Sequence, residues 1–308
     1  MQVQPQQPQS LFVPYLLLTL SVLFWAGNWV IGRALRFDAP PVAITFWRWA
    51  IALALLAPFT YLYLRERWHL ILRFWKILCV LGLLATVCQH IPFYAGLRHT
   101  TATNGALLNA TSPIFIALLS VALVGERLSA KGVLGSVISL SGVLTIISRG
   151  DPGVLRAFSL NVGDIWVLVG TLAWAGYTVC LRCWPAELDR LSFLTLLAAV
   201  GVIATGPLYA LEIASGQVLR PNASSLLGIA YIGVVATVVA YIFWNRAVQQ
   251  VGPGRAGPFM YLMLVFTPIL SIIFLGERLH LYHLAGAVLI ISGIYLTTAR
   301  GSIPESNA

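Results

Sequence analysis

Long apolar stretches alternate with short polar ones along the whole chain. Residues 1–32, 77–97, 99–125, 221–245 and 279–299 contain no Asp, Glu, Lys or Arg. A helix needs about 20 mostly apolar residues to cross the hydrocarbon core of a bilayer, and these windows qualify. Read between the polar punctuation, the pattern predicts an all-α integral membrane protein. Its ten helices are expected near 12–33, 42–64, 75–97, 101–124, 131–148, 163–183, 190–211, 225–247, 255–275 and 280–299. The stretch 1–11, rich in Gln and Pro, is expected to be disordered, and a tail, 301–308, follows the last helix. The longest connection, 150–162, holds Asp151, Pro152, Gly153 and Arg156 and divides the chain in two.

The two parts are copies of one another. Sliding the sequence by 151 residues without a gap lays Gly82, Ala85, Thr86, Val87, Ile91, Phe115 and Ser120 onto Gly233, Ala236, Thr237, Val238, Ile242, Phe266 and Ser271. The same shift lays Gly125-Glu126-Arg127-Leu128, Gly135, Gly142 and Arg149 onto Gly276-Glu277-Arg278-Leu279, Gly286, Gly293 and Arg300. At a slightly different offset, Trp25-Ala26-Gly27 with Val30 and Arg33 recurs as Trp174-Ala175-Gly176 with Val179 and Arg182. Register kept over several apolar segments marks a tandem duplication, with copies spanning 12–149 and 163–300. Five crossings per copy is an odd number, so the second copy is expected to enter the membrane from the opposite side, inverted relative to the first. Inverted repeats are a recurring design of secondary transporters, with the substrate site at their interface near the midplane.

Composition narrows the picture further. The chain is 59% hydrophobic and only 9% charged, too few charges to coat a soluble surface. The net charge of +9 does not point to nucleic acid, because the basic residues are scattered singly between apolar windows, apart from Arg65, Arg67, Arg73 and Lys76. Such residues act as anchors and orientation signals. With the N-terminus in the cytoplasm, more Lys and Arg fall on inner connections than on outer ones, which places both termini inside. The first apolar segment has no basic residue ahead of it and no soluble domain behind a cleavage site, so it reads as a retained helix rather than a signal peptide. Cys79, Cys88, Cys180 and Cys183 all lie in apolar windows. Cys180 and Cys183 have C-x-x-C spacing but no second Cys or His pair beside them, so neither a metal nor a disulfide is assigned.

Two five-helix halves, Trp-Ala-Gly in the first helix of each, and the paired Gly-Glu-Arg-Leu signatures after the fourth give a pattern that resembles the EamA family of the drug/metabolite transporter superfamily. The resemblance runs from about residue 14 to 300 and looks closest to the branch that exports aromatic and neutral amino acids. It implies alternating access, no cofactor, and a bacterial cytoplasmic (inner) membrane location. One departure stands out. The family commonly has a proline thirteen residues before the Gly-Glu-Arg glutamate; Pro113 occupies that place in the first copy, whereas the second has Leu264 there and carries Pro268 instead.

Polar side chains within spans are costly and mark candidate sites. The third helix offers Gln89, His90 and Tyr94 around Pro92; His90 and Tyr94, four apart, share a face. Their counterparts are Tyr241 and Asn245, with Trp244 beside them. Asn109 and Thr111 precede Pro113, and Met260 and Tyr261 lie in the ninth helix. These residues line a cavity or else hydrogen-bond the helices together. Trp25 and Trp174 hold equivalent places as cavity wall or packing core. Arg48, the one basic residue well within a span, either snorkels to headgroups or answers a substrate carboxylate. A proline-freed carbonyl before Pro113 binds a substrate ammonium group or a neighbouring Ser or Thr. The Gly-Glu-Arg pairs read as turn or salt-bridge elements, with a gate as the rival. Gly135 with Gly142 and Gly286 with Gly293 mark packing faces.

All ten acidic residues fall in loops or near helix ends, so no midplane carboxylate is on offer to a dication or to an acid-driven proton antiport. Uncoupled export is the first expectation and His90-linked proton coupling the second. The sequence contains no buried acid pair, no Ser-His-Asp set, no metal-ligand cluster and no phosphate loop, so an enzyme is not expected. The expected partners are a small-molecule substrate and the lipid bilayer, with monomer and homodimer both open. Other cargoes on the same fold, and a non-transporting receptor or scaffold, are the alternatives.

Overall fold

The computed structural model describes residues 12–125, 130–151, 153, 161–183, 187–251 and 257–298. The tails, the first Gly-Glu-Arg-Leu signature beyond Gly125 and most of the connecting loop lie outside the described residues. Everything regular among the described residues is helical. We number the segments α1 (Phe12–Ala34), α2 (Pro41–Glu66), α3 (Trp68–Leu97), α4 (Ala102–Asn109 and Ser112–Val124), α5 (Ala130–Ile147), α6 (Val162–Cys180), α7 (Arg190–Ala214), α8 (Ala223–Ala230, Tyr231–Val239 and Ala240–Val251), α9 (Gly257–Leu262 and Met263–Leu275) and α10 (Leu281–Thr298). Seven of them, α1–α4 and α6–α8, are long and apolar enough to cross a membrane; α5, α9 and α10 contain shorter apolar helices.

The bundle is inside-out in polarity. Its surface carries Phe59, Leu62, Ile203, Leu227, Phe274 and Leu281, all largely exposed, while Asn28, Arg48, His90, Asn104 and Asp164 are buried. Water would drive the first set inward, so a surface of this size is one that faces lipid.

Helix starts follow local chemistry. Pro41 opens α2 behind an extended Pro40, where a missing N–H costs nothing. Side chains of Thr101, Asn161, Asp189 and Asn222 accept from the first free amides of α4, α6, α7 and α8. Gly125 and Gly276 end α4 and α9 in the left-handed conformation, at φ 74° and 65°, which glycine alone adopts without strain. That is the role of the glycine in each Gly-Glu-Arg signature.

Four helices depart from regularity. α4, expected as one helix, breaks at Ala110 and Thr111. Pro113 has no N–H to give the Asn109 carbonyl, and the Ser112 hydroxyl takes that carbonyl instead. α9 begins as a 3₁₀ turn, Gly257–Leu262, and Pro268 lies within its α-helical part. α3 and α8 each widen into a π segment, Leu84–Cys88 and Tyr231–Val239. Shifted by 151 residues, the first falls inside the second, so the two copies share this irregularity as well as their residues. π segments cluster at functional sites, and these two lead into His90 and Tyr241.

The copies interlock through antiparallel pairs. On α5 and α10, Gly142 lies against the Gly286 backbone and Gly293 against Gly135. On α3 and α6, Gly96 meets Gly163 while Gln89 meets Gly170. The counterpart pair is α1 with α8: the Ser21 hydroxyl donates to the Ala240 carbonyl (3.1 Å) and the Trp25 indole to the Ala236 carbonyl (3.0 Å). α2 runs against α7, from Glu212 at Val42 and Ala43 to Thr195 at Thr60. Contacts this close need residues without bulk, and lipid provides no hydrophobic force to compensate for a gap.

Candidate functional site

Where α1, α3, α4, α6, α8 and α9 converge with Arg48 of α2, they leave a cavity of about 80 Å³ lined by Trp25, Asn28, Trp29, Arg48, Gln89, His90, Phe93, Asn109, Trp174, Tyr241, Met260 and Met263. The lining comes from both copies. A water takes roughly 10–15 Å³ on this measure, so the cavity holds a few waters, and a metabolite enters only if the walls part. A second cavity, about 380 Å³, is lined by Tyr177, Leu181, Arg190, Phe193, Leu194, Leu197, Tyr241 and Asn245. Tyr241 belongs to both. Its ring stands edge-on to Trp25 at 5.6 Å between centroids, forming part of the wall between the chambers.

Within the central cavity, Trp25, Asn28 and Trp29 sit at i, i+3 and i+4 on one face of α1. Trp29 packs against Phe93 with centroids 4.0 Å apart. Arg48 lies behind this face, 2% exposed. Its Nε donates to Thr237 Oγ1 (2.8 Å) and its Nη1 to the Tyr94 hydroxyl (3.1 Å), which donates in turn to Asn28 Oδ1 (2.8 Å). Thr237 sits in the π segment of α8, and its hydroxyl donates to the Ile232 carbonyl. The His90 ring stacks on Tyr94 at 6.3 Å and meets Trp49 edge-on at 5.6 Å. Gln89 Oε1 is buried with no hydrogen-bond partner among the described residues.

At the end formed by the C-termini of α1 and α3 and the N-termini of α2, α4, α6 and α10, side chains tie the copies together. Within the first copy, Arg33 donates to the Leu97 carbonyl (2.6 Å) and Arg98 to the Arg36 carbonyl (3.1 Å), while between the copies Arg98 also donates to Gln217 Oε1 (3.3 Å). Thr100 donates to Asp164, and Asn104 Oδ1 meets His283 Nε2 at 2.9 Å. Two carboxylates cap helices other than their own: Glu212 accepts from the amides of Val42 and Ala43, and Glu277 from those of Ala102 and Thr103 and from the Thr103 hydroxyl. A carboxylate at a helix N-terminus meets both free amides and the positive end of the dipole. Toward the opposite end, the larger cavity reaches Leu181, Arg190 and Asn245.

The role of Glu277 makes a prediction. Glu277→Ala leaves the first amides of α4 without their acceptor and is expected to cost about 0.5–2 kcal/mol, read as a lower thermal midpoint in detergent. An unchanged midpoint would mean that the cap contributes nothing.

The residues singled out from sequence are distributed as follows. Trp25, Gln89, His90, Asn109, Trp174 and Tyr241 line the central cavity, and Asn245 lines the larger one. Tyr94 lies behind the wall, holding Arg48. Trp244 packs on Trp25 at 5.3 Å, and Tyr261 packs against the core; neither is among the lining residues. Arg48 does not snorkel: it is buried and hydrogen-bonded to Thr237 and Tyr94. Asn28, Phe93 and Met263 were not singled out. Asn28 carried a signal, being a polar residue one turn after Trp25.

The family model described as "EamA-like transporter family" matches residues 13–148 and 161–299, one match on each copy. The chain belongs to the EamA-like transporter family. A protein of Archaeoglobus fulgidus named "Uncharacterized transporter" is 28% identical over 93% of this chain and 97% of its own length. "Uncharacterized transporter YyaM" of Bacillus subtilis is 27% identical over 74% of each. A WAT1-related protein of Arabidopsis thaliana is 26% identical over 95% of this chain and 86% of its own. A solved structure titled "Crystal structure of protein" superposes with a TM-score of 0.60 over 93% of this chain and 96% of that one, at 18% identity, which establishes likeness of fold. Family membership and the lipid-facing surface together make this a multi-pass membrane protein of a transporter family.

Proposed function

We propose that this chain is a secondary transporter that exports small metabolites, foremost amino acids including aromatic ones, across a bacterial cytoplasmic membrane. It has ten spans in two inverted five-helix halves and works by alternating access. The observation that carries this reading is the central cavity: both copies line it, side-chain bonds tie the bundle together at one end, and a larger chamber adjoins it toward the other. The antiparallel packing of repeat-equivalent helices, α5 on α10 and α2 on α7, supports the inverted relation. Aromatic walls and a set of neutral polar groups suit aromatic and neutral amino acids. Among the described residues the carboxylates sit at helix ends or in loops, which disfavours dications.

The test is flux into proteoliposomes. Radiolabelled amino acids are expected to move down their gradient in proportion to reconstituted protein, without a change of luminal pH, as uncoupled export requires. Flux no faster than in protein-free vesicles across aromatic, aliphatic and cationic substrates would favour a receptor or scaffold. A second measurement checks orientation. With both termini inside, Arg67→Cys is expected to be shielded from an impermeant thiol reagent in intact cells, whereas Arg220→Cys reacts. The reverse pattern would invert the topology and make the larger chamber face outward.

A further inference from the structure

Arg48 carries a charge that no described residue balances. It is 2% exposed, and its partners are neutral: the Thr237 hydroxyl, the Tyr94 hydroxyl and the face of Trp49, 5.6 Å from the guanidinium. Among the described residues no carboxylate pairs with it. Burying a cation without a counter-charge is costly, and a bilayer sharpens the cost. A purely structural residue at this place would do better as a neutral hydrogen-bonding side chain. Yet Arg48 is not remote from open space, because it is among the residues that line the central cavity.

Two further features of that cavity fit a ligand. Gln89 presents a buried, unsatisfied acceptor, and Trp25, Trp29, Phe93 and Trp174 provide apolar and aromatic wall. Guanidinium geometry matches a carboxylate in two parallel hydrogen bonds. The bonds from Arg48 to Thr237 and Tyr94 fix the plane of the group in advance, which lowers the cost of binding.

We infer that Arg48 is the carboxylate-binding residue of the central cavity, so that the cargo must carry a carboxylate beside an apolar or aromatic group, with Gln89 accepting from an ammonium group where the cargo has one. This rests on the transport reading of the same cavity. The bound carboxylate supplies the missing counter-charge, and cations without one meet like charge.

The test is equilibrium binding to the full chain in nanodiscs, using four probes that share a benzyl group: L-phenylalanine, phenylacetate, phenethylamine and phenylalaninamide. The two carboxylates are expected to bind at least about tenfold more tightly than the two probes without one. Arg48→Gln is expected to erase that preference and Arg48→Lys to keep part of it. Gln89→Ala is expected to weaken L-phenylalanine more than phenylacetate. If Arg48→Gln does not fold, the ranking on the unmodified protein and on Arg48→Lys decides. Binding of phenethylamine or phenylalaninamide as tight as that of L-phenylalanine, binding by none of the four, or Arg48→Gln holding L-phenylalanine within about twofold of the unmodified protein would each overturn the assignment. Parallel flux measurements separate this from the broader reading. Movement only of carboxylate-free cargo would leave a transporter and refute the role of Arg48. Carboxylate binding that depends on Arg48 without flux of any cargo would refute transport and keep the site.

Discussion

Gly142→Val is expected to lower both the yield of folded protein and its thermal midpoint in detergent, whereas Leu144→Val, two residues away on the exposed face, leaves both close to those of the unmodified protein. A Cβ on residue 142 would lie 2.8 Å from the Gly286 carbonyl oxygen and 3.0 Å from the Ile290 amide. Both are backbone atoms of α10, which cannot rotate out of the way, so α5 and α10 must separate. The Ser139 hydroxyl, which donates to the Ile290 carbonyl (2.9 Å), would be pulled from its acceptor as they do. Overpacking of this kind costs about 1–3 kcal/mol, and here it acts between the last helices of the two copies. Equal midpoints for Gly142→Val and Leu144→Val would show that the pair is not packed as described.

The second large effect concerns passage between the chambers. Tyr241 lines both cavities and meets Trp25 edge-on, so Tyr241→Ala removes part of the wall between them. In a background with Cys79, Cys88, Cys180 and Cys183 replaced by alanine, Asn109→Cys places a thiol in the central cavity. Its modification by a small water-soluble reagent is expected to speed up by about an order of magnitude when Tyr241→Ala is added, as for removal of a gating side chain. The same change is expected to relax discrimination between aromatic and aliphatic amino acids in flux. If the thiol reacts at the same rate with and without Tyr241, the chambers are separated by something else, and the aromatic pair is wall rather than gate.

The legibility of the molecule in its sequence divides along physical lines. The helices were legible because the membrane imposes a length and a polarity on each span, and charge-free windows report both. The duplication was legible because side chains repeat in register, down to the glycines that pack α5 on α10. A third of the cavity wall was legible for another reason: a polar residue within an apolar window is conspicuous, and Gln89, His90, Asn109 and Tyr241 all met that criterion. Glu277 was visible as part of a motif, but its acceptor role was not, because the amides it caps belong to α4, about 175 residues earlier.

What the tertiary structure decided were matters of direction and distance. Helical spacing places Arg48 in a span but does not say whether its side chain rises to the headgroups or turns inward; the hydroxyls of Thr237 and Tyr94, brought in by α8 and α3, settle that. The π segments raise no signal in composition, since Leu84–Cys88 and Tyr231–Val239 are mostly ordinary apolar residues, with one threonine each, and differ from α-helix only in backbone pairing. The break in α4 needed the Ser112 hydroxyl as well as Pro113. Nor could any local pattern have separated Tyr261, packed in the core, from Met260, which lines the cavity one residue away. Apolar periodicity determines which stretches are helices in lipid, because that depends on each segment alone. Which side chains meet across them depends on segments far apart in the chain, and only the packed bundle brings those together.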